Sequence, residues 1–409
     1  MVLSMNLFLM IGLAVFTGIV GGKLAERAGV PELIGTVLVG LVFGESVLGF
    51  FQAHTLDSLK PIVDLALAFF GFFIGAELKV SELRGMGREI VSILFSEALL
   101  TFAVVSAGVY LYTRQLHMAL LFGALATSTA PAATADVLWE YRAKGKLTTT
   151  IMAMVGLDDA VAILVFSLAN YLAIREITGT AAELSAFIGF FFHEVGFAVA
   201  LGAVMGLLLV ASVRLLQKTR DIFLVAIGCV IMCSGLAEYL EASEVLSNMI
   251  VGLVFSNLCV KAESSLYTVR ELTSPLFTLF FVLTGARLNV FLLTELGVMG
   301  LIYLGARVTG KTLGASFGAW ASKAAEPVRR YIGFCLYSQA GLTIGLSSYL
   351  YHELSELGEL AAKVGLSILN TIVATSLVLL MFGPLCLKYA VTKAGEVEAI
   401  KREELVFEY

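Results

Sequence analysis

The sequence predicts an all-α polytopic membrane protein with about 13 transmembrane helices. Three observations carry this prediction. The composition is too apolar for a soluble chain, the cationic residues alternate between successive loops, and the first half of the chain recurs in the second half. Together they favour an inverted-topology repeat of helices 1–6 and 8–13, in which helices 5 and 12 are broken and cross each other.

The composition points to lipid as the surrounding medium. Hydrophobic residues make up 59% of the 409 residues and charged residues 14%, whereas soluble domains carry about 25% charged residues. The mean hydropathy is +0.92. This excludes a soluble enzyme, a disordered chain and a nucleic-acid binder. We therefore expect membrane lipid as the main partner, no enzyme activity, no nucleotide and no cofactor.

The spans follow from the apolar stretches between charged clusters. A helix needs about 20 apolar residues to cross the hydrocarbon core, and in lipid its backbone must satisfy its own hydrogen bonds. Two of the stretches are short. The predicted spans are 5–22, 31–44, 61–78, 90–112, 118–138, 148–172, 195–213, 221–238, 243–260, 272–291, 296–320, 330–351 and 361–387.

The distribution of lysine and arginine gives the span count an independent check and sets the topology. Of the 27 cationic residues, 20 lie in alternate loops, four in the intervening loops and three inside spans. Cytoplasmic loops of membrane proteins carry the excess of lysine and arginine. The bias therefore places the C-terminus in the cytoplasm and the N-terminus outside the cell membrane, and it agrees with 13 spans.

An internal repeat relates the two halves at an offset of 210–212 residues. Nine of 21 positions are identical when the segments that begin at Leu24 and Leu236 are aligned. The motif at 75–80 recurs at 285–290, and the motif at 128–131 recurs at 338–341. A shift of seven helices is odd, so the second copy runs inverted. Inverted repeats are typical of secondary transporters, which bind substrate near the midplane at broken helices.

Helices 5 and 12 carry matching interruptions. Helix 5 contains the hydroxyl-rich run Thr127-Ser128-Thr129 before Pro131, which removes a backbone donor in mid-span. The repeat-related stretch in helix 12 is 338–343, where Gly341 loosens the helix. Paired breaks of this kind indicate a substrate site, because half-helix ends meet there.

Helix 6 places two adjacent carboxylates, Asp158 and Asp159, in the middle of an apolar span. A charge at the bilayer centre costs at least ~2.5 kcal/mol, so such residues usually mark an ion or proton route. Oxygen ligands suit a hard monovalent cation. We expect Asp159 to hold Na⁺ or a proton, with the hydroxyls of the 127–129 run supporting the ion.

Other intramembrane charges offer partners. Lys311 lies in mid-span in helix 11 and is expected to pair with Asp158, because adjacent helical residues point about 100° apart and leave the second aspartate free. Glu97 and Arg307 are related by the 210-residue offset and are expected to form a structural ion pair.

These motifs resemble the monovalent cation/proton antiporters, in the bacterial Na⁺/H⁺ branch with an Asp-Asp pair. The resemblance rests on the break 127–131, the run Gly156-Leu157-Asp158-Asp159, Gly310-Lys311 and the stretch 280–288. It covers roughly residues 1–388. The resemblance implies Asp159 as the cation and proton carboxylate, Asp158 as the partner of Lys311, and electrogenic exchange.

The resemblance also implies a homodimer whose core domain moves against a dimerisation domain. The implied division is 1–90 and 221–292 for the dimerisation domain, 90–174 and 293–388 for the core, 175–220 for a linker helix and 389–409 for a short cytoplasmic tail. Potassium-efflux relatives carry a long nucleotide-binding tail, and this short tail lacks a Gly-x-Gly-x-x-Gly motif. K⁺/H⁺ exchange, a sodium-coupled solute symporter and a passive channel stay open as alternatives.

Overall fold

The computed structural model describes residues 7–83, 86–178, 189, 192–215, 219–259, 262–288, 291 and 297–397. Parts of several predicted segments lie outside these residues: the start of the first span, sections of the 175–220 linker, residues 292–296 and the tail from residue 398.

The helices in the described part of the chain are α1 (Leu7–Arg27), α2 (Glu32–Phe43), α3 (Ala53–Ser58), α4 (Lys60–Glu77), α5 (Val80–Leu83), α6 (Gly87–Thr113), α7 (Leu116–Leu125), α8 (Pro131–Glu140), α9 (Lys146–Thr178), α10 (Phe197–Leu215), α11 (Thr219–Tyr239), α12 (Glu244–Leu258), α13 (Ala262–Arg287), α14 (Gly297–Ala321), α15 (Glu326–Tyr331), α16 (Gly341–Glu356) and α17 (Glu359–Ala394).

The helices have the lengths and surfaces of a multi-pass membrane protein. Within the described residues, five helices are long and apolar enough to cross a bilayer, and four shorter helices of 10–17 residues are also apolar. Large apolar side chains such as Phe8 and Leu215, both 85% exposed, lie on the outer surface. A soluble protein would bury such side chains, whereas lipid covers them at no cost. The count of 13 spans stays a prediction.

The helices pack into two groups. Bundle A comprises α1, α2, α4, α10, α11, α12 and α13, whose main contacts are with one another. Bundle B comprises α6, α7, α8, α9, α14, α16 and α17. The bundles meet where α8, α9 and α17 face α2, α4 and α12. Ion-site residues predicted from the sequence lie on helices of bundle B or in the breaks between them.

Bundle A contains two close helix crossings that repeat each other. A Cβ added at Gly75 in α4 would overlap the carbonyl of Met249 in α12, and one added at Gly252 in α12 would overlap the carbonyl of Phe72 in α4. The crossing of α2 and α13 has the same form: Gly285 faces the Val37 carbonyl and Gly40 faces the Val282 carbonyl. Each residue of one crossing lies 210 or 212 positions from its counterpart in the other. Glycine at these positions lets the backbones touch.

The start of α9 is held by a residue from the far end of the chain. α17 ends at Gly395 with φ +72°, and the next residue, Glu396, turns back toward α9. Its carboxylate accepts hydrogen bonds from the Leu147 N–H at 2.8 Å and from the Thr148 N–H at 2.7 Å and hydroxyl at 2.8 Å. A carboxylate at a helix N-terminus satisfies free donors and opposes the helix dipole. Glu396 thus caps the helix that carries the Asp-Asp pair.

We predict that Gly75→Ala destabilises the protein by about 1–3 kcal/mol, because the added methyl group forces α4 and α12 apart. The readout is the midpoint of thermal unfolding in detergent. The matched control is Gly305→Ala in α14, where an added Cβ meets nothing within 4 Å and alanine favours the helix by up to about 1 kcal/mol. Equal midpoints for the two variants would contradict the close-contact interpretation.

Candidate functional site

Two interrupted helices meet at the centre of the site. α7 ends at Leu125 and α8 begins at Pro131, so the residues between them are not helical. A second interruption lies between α15, which continues as a short 3₁₀ turn to Phe334, and α16, which begins at Gly341. The N–H of Ala130 in the first break donates to the Ser338 carbonyl in the second at 2.9 Å. The breaks lie where Pro131 and Gly341 predicted them.

Arg307 ties the two breaks together. This α14 residue has no solvent exposure. Its guanidinium donates to the carbonyls of Ala126 at 3.1 Å and Ser128 at 2.7 Å in the first break, and to that of Tyr337 at 2.6 Å in the second. The carbonyls exposed at a helix break lack intrahelical donors and carry partial negative charge. The planar fork of arginine suits several acceptors at once.

Lys311 lies one turn further along α14 and is also fully buried. Its ammonium contacts the Glu97 carboxylate at 2.7 Å, the Thr129 hydroxyl at 2.9 Å and the Thr127 carbonyl. Asp158 is the more distant carboxylate, with 3.7 Å between Lys311 Nζ and Asp158 Oδ2. The structure therefore brings the expected lysine and aspartate together, with a second carboxylate closer to the lysine.

The expected ion pair between Glu97 and Arg307 is not formed among the described residues. Both side chains are buried at the crossing of α6 and α14, as the repeat offset suggested. However, Glu97 binds Lys311, while Arg307 donates to backbone carbonyls. The physical reason lies in the breaks. Their carbonyls lack intrahelical donors, and the Arg307 guanidinium reaches three of them.

The two aspartates of α9 lie in different surroundings. Asp158 is buried at 2% exposure, and neither of its carboxylate oxygens has a hydrogen-bond partner. Asp159 is partly buried and lines a cavity of about 290 Å³ between the bundles. One of its oxygens is likewise unpartnered. The cavity wall comprises both breaks, at 130–133 and 340–342, and residues of bundle A.

The three hydroxyl residues proposed to support an ion have other partners. The Thr127 hydroxyl donates to the Ala124 carbonyl at 2.7 Å, and the Thr129 hydroxyl accepts from Lys311. Ser128 contributes its carbonyl to Arg307. The break therefore binds the two buried cations of α14 mainly through backbone carbonyls, and of the three hydroxyls suggested as ion ligands that of Thr129 contacts Lys311.

Three further groups of the site escaped the sequence interpretation. Gln339 donates to the Tyr303 hydroxyl at 2.7 Å and to the Leu125 carbonyl at 3.1 Å, which adds a third link between the breaks. Asp64 and Glu244 line the Asp159 cavity from bundle A. Asp64 lies near the start of its predicted span, where a solvated side chain is expected, and no sequence motif marked Glu244. Only the packing of α4 and α12 against α9 brings both to the cavity.

Comparison with known proteins identifies the family. A family model described as "Sodium/hydrogen exchanger, transmembrane" matches residues 11–388. The chain belongs to this family. The match includes both breaks, both aspartates and both buried cations of α14. It agrees with the resemblance that the sequence motifs indicated, and it makes the chain a multi-pass membrane protein of an ion-transport family.

Individual relatives agree with this assignment. The chain is 27% identical over 269 residues to the ammonium/H⁺ antiporter subunit AmhT of Alkalihalophilus pseudofirmus, covering 65% of this chain and 66% of the relative. It is 26% identical over 289 residues to the Na⁺/H⁺ antiporter NhaP of Pseudomonas aeruginosa, covering 66% of each. The chain thus spans just under two thirds of the length of these relatives.

Solved structures of one archaeal protein share the fold. An electron-microscopy structure of the sodium proton antiporter MjNhaP1 from Methanocaldococcus jannaschii superimposes with a TM-score of 0.79 at 16% identity, covering 99% of both chains. A structure of the same antiporter at pH 8 gives a TM-score of 0.70 at 17% identity, covering 95% of this chain and 96% of that one. At this identity the likeness establishes the fold.

We predict that Arg307→Lys lowers stability by about 2–4 kcal/mol. A lysine ammonium does not present the arginine fork, and each unsatisfied buried carbonyl costs about 1–3 kcal/mol. Thermal unfolding in detergent measures the effect. The control is Arg329→Lys on α15, an exposed residue where the same change is expected to stay within about 0.5 kcal/mol. Wild-type stability of Arg307→Lys would contradict the proposed role of the fork.

Proposed function

We propose that the protein is a secondary antiporter that exchanges Na⁺ or Li⁺ for protons at Asp159. The observation that carries this proposal is the position of Asp159 on the wall of a cavity between the two bundles, next to both helix breaks. The family match and the activities of the relatives, which are cation/proton antiporters, support it. Asp158 and Lys311 complete the charged centre.

A single carboxylate accounts for exchange without further machinery. Hard monovalent cations prefer oxygen ligands, and the same oxygens bind a proton. Asp159 has one unpartnered oxygen, and neither oxygen of Asp158 accepts a hydrogen bond from the protein. Lone pairs of buried carboxylates are normally satisfied, so a cation, a proton or water suits them. The cation and the proton compete for the Asp159 carboxylate. If this carboxylate crosses between the two sides only when one of them is bound, the competition produces antiport.

Alternating access needs two rigid parts, and the packing supplies them. The helices divide into bundles A and B, with the cavity between them. This division supports the proposed core domain of 90–174 and 293–388 and the dimerisation domain of 1–90 and 221–292. The duplicated glycine crossings within bundle A support the inverted repeat. A homodimer joined through bundle A leaves bundle B free to move.

The cavity is closed on the side opposite Asp64. Asp64 lies near the start of α4 and Glu77 at its end, about 20 Å away at 1.5 Å per residue. Phe70 stacks on Phe277 with 4.0 Å between ring centroids. Three hydrogen bonds join the bundles at the Glu77 end: from Trp139 Nε1 to Glu77 Oε1 at 2.8 Å, from the Glu32 N–H to Glu140 Oε2 at 2.9 Å, and from Lys388 Nζ to the Gly29 carbonyl at 2.6 Å.

The lysine and arginine bias assigns this closed side to the cytoplasm, with the C-terminus inside and the N-terminus outside. The cavity then faces outward, with Asp64 and Glu244 at its mouth. Their carboxylates attract cations from the outside. With two aspartates in the site, exchange of more than one proton per cation is expected, which makes transport electrogenic.

K⁺/H⁺ exchange is the second candidate. It is favoured by the similarity to AmhT, which is an ammonium/proton antiporter subunit. Carboxylate oxygens alone do not select among monovalent cations. A sodium-coupled solute symporter is less favoured, because the cavity wall is mainly apolar apart from the carboxylates and a few hydroxyls.

We predict that Asp159→Asn abolishes cation-driven proton movement. A neutral amide does not neutralise a bound cation, and it does not take up and release a proton as a carboxylate does. Proteoliposomes with an internal pH dye, driven in turn by Na⁺, Li⁺, K⁺ and NH₄⁺ gradients, measure this and identify the substrate. Glu45→Gln, at an exposed position outside the helices, is the control and should exchange at the wild-type rate. Exchange that persists in Asp159→Asn would refute the assignment.

A second prediction concerns the cytoplasmic closure. Glu140 lies beyond the predicted span 118–138, and burial raises the pKa of its carboxyl to about 7, with a smaller rise from Glu32 and Glu26. Opening the closure solvates Glu140 and returns its pKa toward its ordinary value of 4.5. The closed form therefore binds the extra proton, and rising pH favours opening between those two values.

Glu140→Gln is therefore expected to flatten the dependence of exchange on cytoplasmic pH below about 7, where one pH unit is worth up to tenfold in the opening equilibrium. The neighbouring charged and titratable groups, Tyr141, Glu32 and Glu26, remain in place. Trp139→Phe is the control, because it removes a hydrogen bond of the cytoplasmic closure and leaves the Glu140 carboxyl in place. It should change the rate at every pH and leave the shape of the profile intact. If the dependence of exchange on cytoplasmic pH is unaltered in Glu140→Gln, Glu140 does not control the cytoplasmic closure.

A further inference from the structure

Lys311 has three N–H donors, and three acceptors surround it without Asp158. They are the Glu97 carboxylate at 2.7 Å, the Thr129 hydroxyl at 2.9 Å and the Thr127 carbonyl. Asp158 lies 3.7 Å away and accepts no hydrogen bond on either oxygen. The donors of the lysine are therefore committed to Glu97 and to the first helix break.

Glu97 is fixed for this contact. It has no solvent exposure, and its Oε1 also accepts from the Thr101 hydroxyl at 3.1 Å. The backbones of α6 and α14 touch at this level: a Cβ added at Gly314 would lie 2.6 Å from the Glu97 Cα, and one at Gly310 would lie 2.7 Å from the Thr101 Cα. The close approach brings the carboxylate of α6 directly against the ammonium of α14.

We propose that Glu97 is the resident counter-ion of Lys311, a positioning residue that holds the lysine on the broken helix and leaves Asp158 to bind the transported cation beside Asp159. This inference rests on the proposed antiport function and deepens it. It gives the site two ion-binding aspartates and one neutral lysine–glutamate pair. Asp158 then differs from the lysine partner that the sequence motifs implied.

The arrangement makes a specific energetic demand. Removing one member of a buried ion pair is strongly destabilising, because the remaining charge has no partner. Here Lys311 has Asp158 within 3.7 Å as a substitute. Loss of Glu97 alone draws the lysine toward Asp158 and removes that aspartate from the cation. Loss of both carboxylates leaves the lysine uncompensated.

The first test measures folding and is independent of any transported ion. Thermal unfolding of the full chain in detergent is compared for wild type, Glu97→Gln, Asp158→Asn and the double variant. The midpoint of the double variant should fall by more than the sum of the two single decreases. Lys311→Gln added to the double variant should raise the midpoint again, because it removes the lysine charge that has lost both carboxylates. Additive decreases, or no recovery with Lys311→Gln, would overturn the pairing even if Glu97→Gln alone folds poorly.

The second test measures transport in proteoliposomes with the cation that drives wild-type exchange. Glu97→Gln should raise the KM for the cation by about tenfold and change kcat less. The increase is expected because Asp158, a charged ligand that contributes about 1.5 kcal/mol to cation binding, then pairs with Lys311. Glu97→Asp should restore KM. Ser96→Ala is the matched control and should leave KM unchanged, because it removes a hydrogen bond between the same two helices, to the Gly314 carbonyl at 2.9 Å, and keeps the ion pair. An unchanged KM in folded Glu97→Gln would refute the role of Glu97, whereas absence of wild-type exchange refutes the proposed function and leaves the unfolding cycle valid.

Discussion

The site depends on the neutralisation of backbone carbonyls that two broken helices expose inside the protein. A helix interrupted within the membrane leaves polar groups that lipid cannot satisfy. Arg307 meets carbonyls of both breaks, and Lys311 meets another carbonyl of the first break. These two residues lie on adjacent turns of α14, so one helix supports the whole crossing. Without them these carbonyls would lie in the protein interior without donors, at a cost of about 1–3 kcal/mol each.

The buried cations in turn explain the buried anions. A guanidinium and an ammonium without solvent exposure cost several kcal/mol each unless they are paired. Arg307 meets this cost with dipoles, whereas Lys311 uses the full charge of Glu97. The difference leaves both oxygens of Asp158 and one oxygen of Asp159 without a hydrogen-bond partner. A bound cation or proton would satisfy these oxygens, whose burial is otherwise costly.

Much of this arrangement follows from local sequence. Pro131 and Gly341 mark the breaks, and adjacent aspartates within an apolar span mark the ion site. The pairing of Glu97 with Lys311 could not be predicted from the sequence. It depends on whether Arg307 or Lys311 reaches the free carbonyls of the breaks, and the level at which α6 and α14 cross decides this. Asp64 and Glu244 were missed for a similar reason. Each lies near the start of its helix, and only the approach of bundle A to α9 turns that position into a cavity wall. The repeat offset relates the glycines of the two crossings to each other, but the sequence did not show that these glycines lie at helix contacts.

The cap on α9 has a consequence for biogenesis. The N-terminus of the Asp-Asp helix is completed by a carboxylate 248 residues later in the chain, at the end of α17. When α9 leaves the ribosome, its first turn has no such partner and stays solvated until the last helix has been inserted. The first turn of the ion-site helix is therefore capped only after the chain has been synthesised to Glu396. The cap thus couples completion of the helix that carries Asp158 and Asp159 to completion of the last helix of the chain.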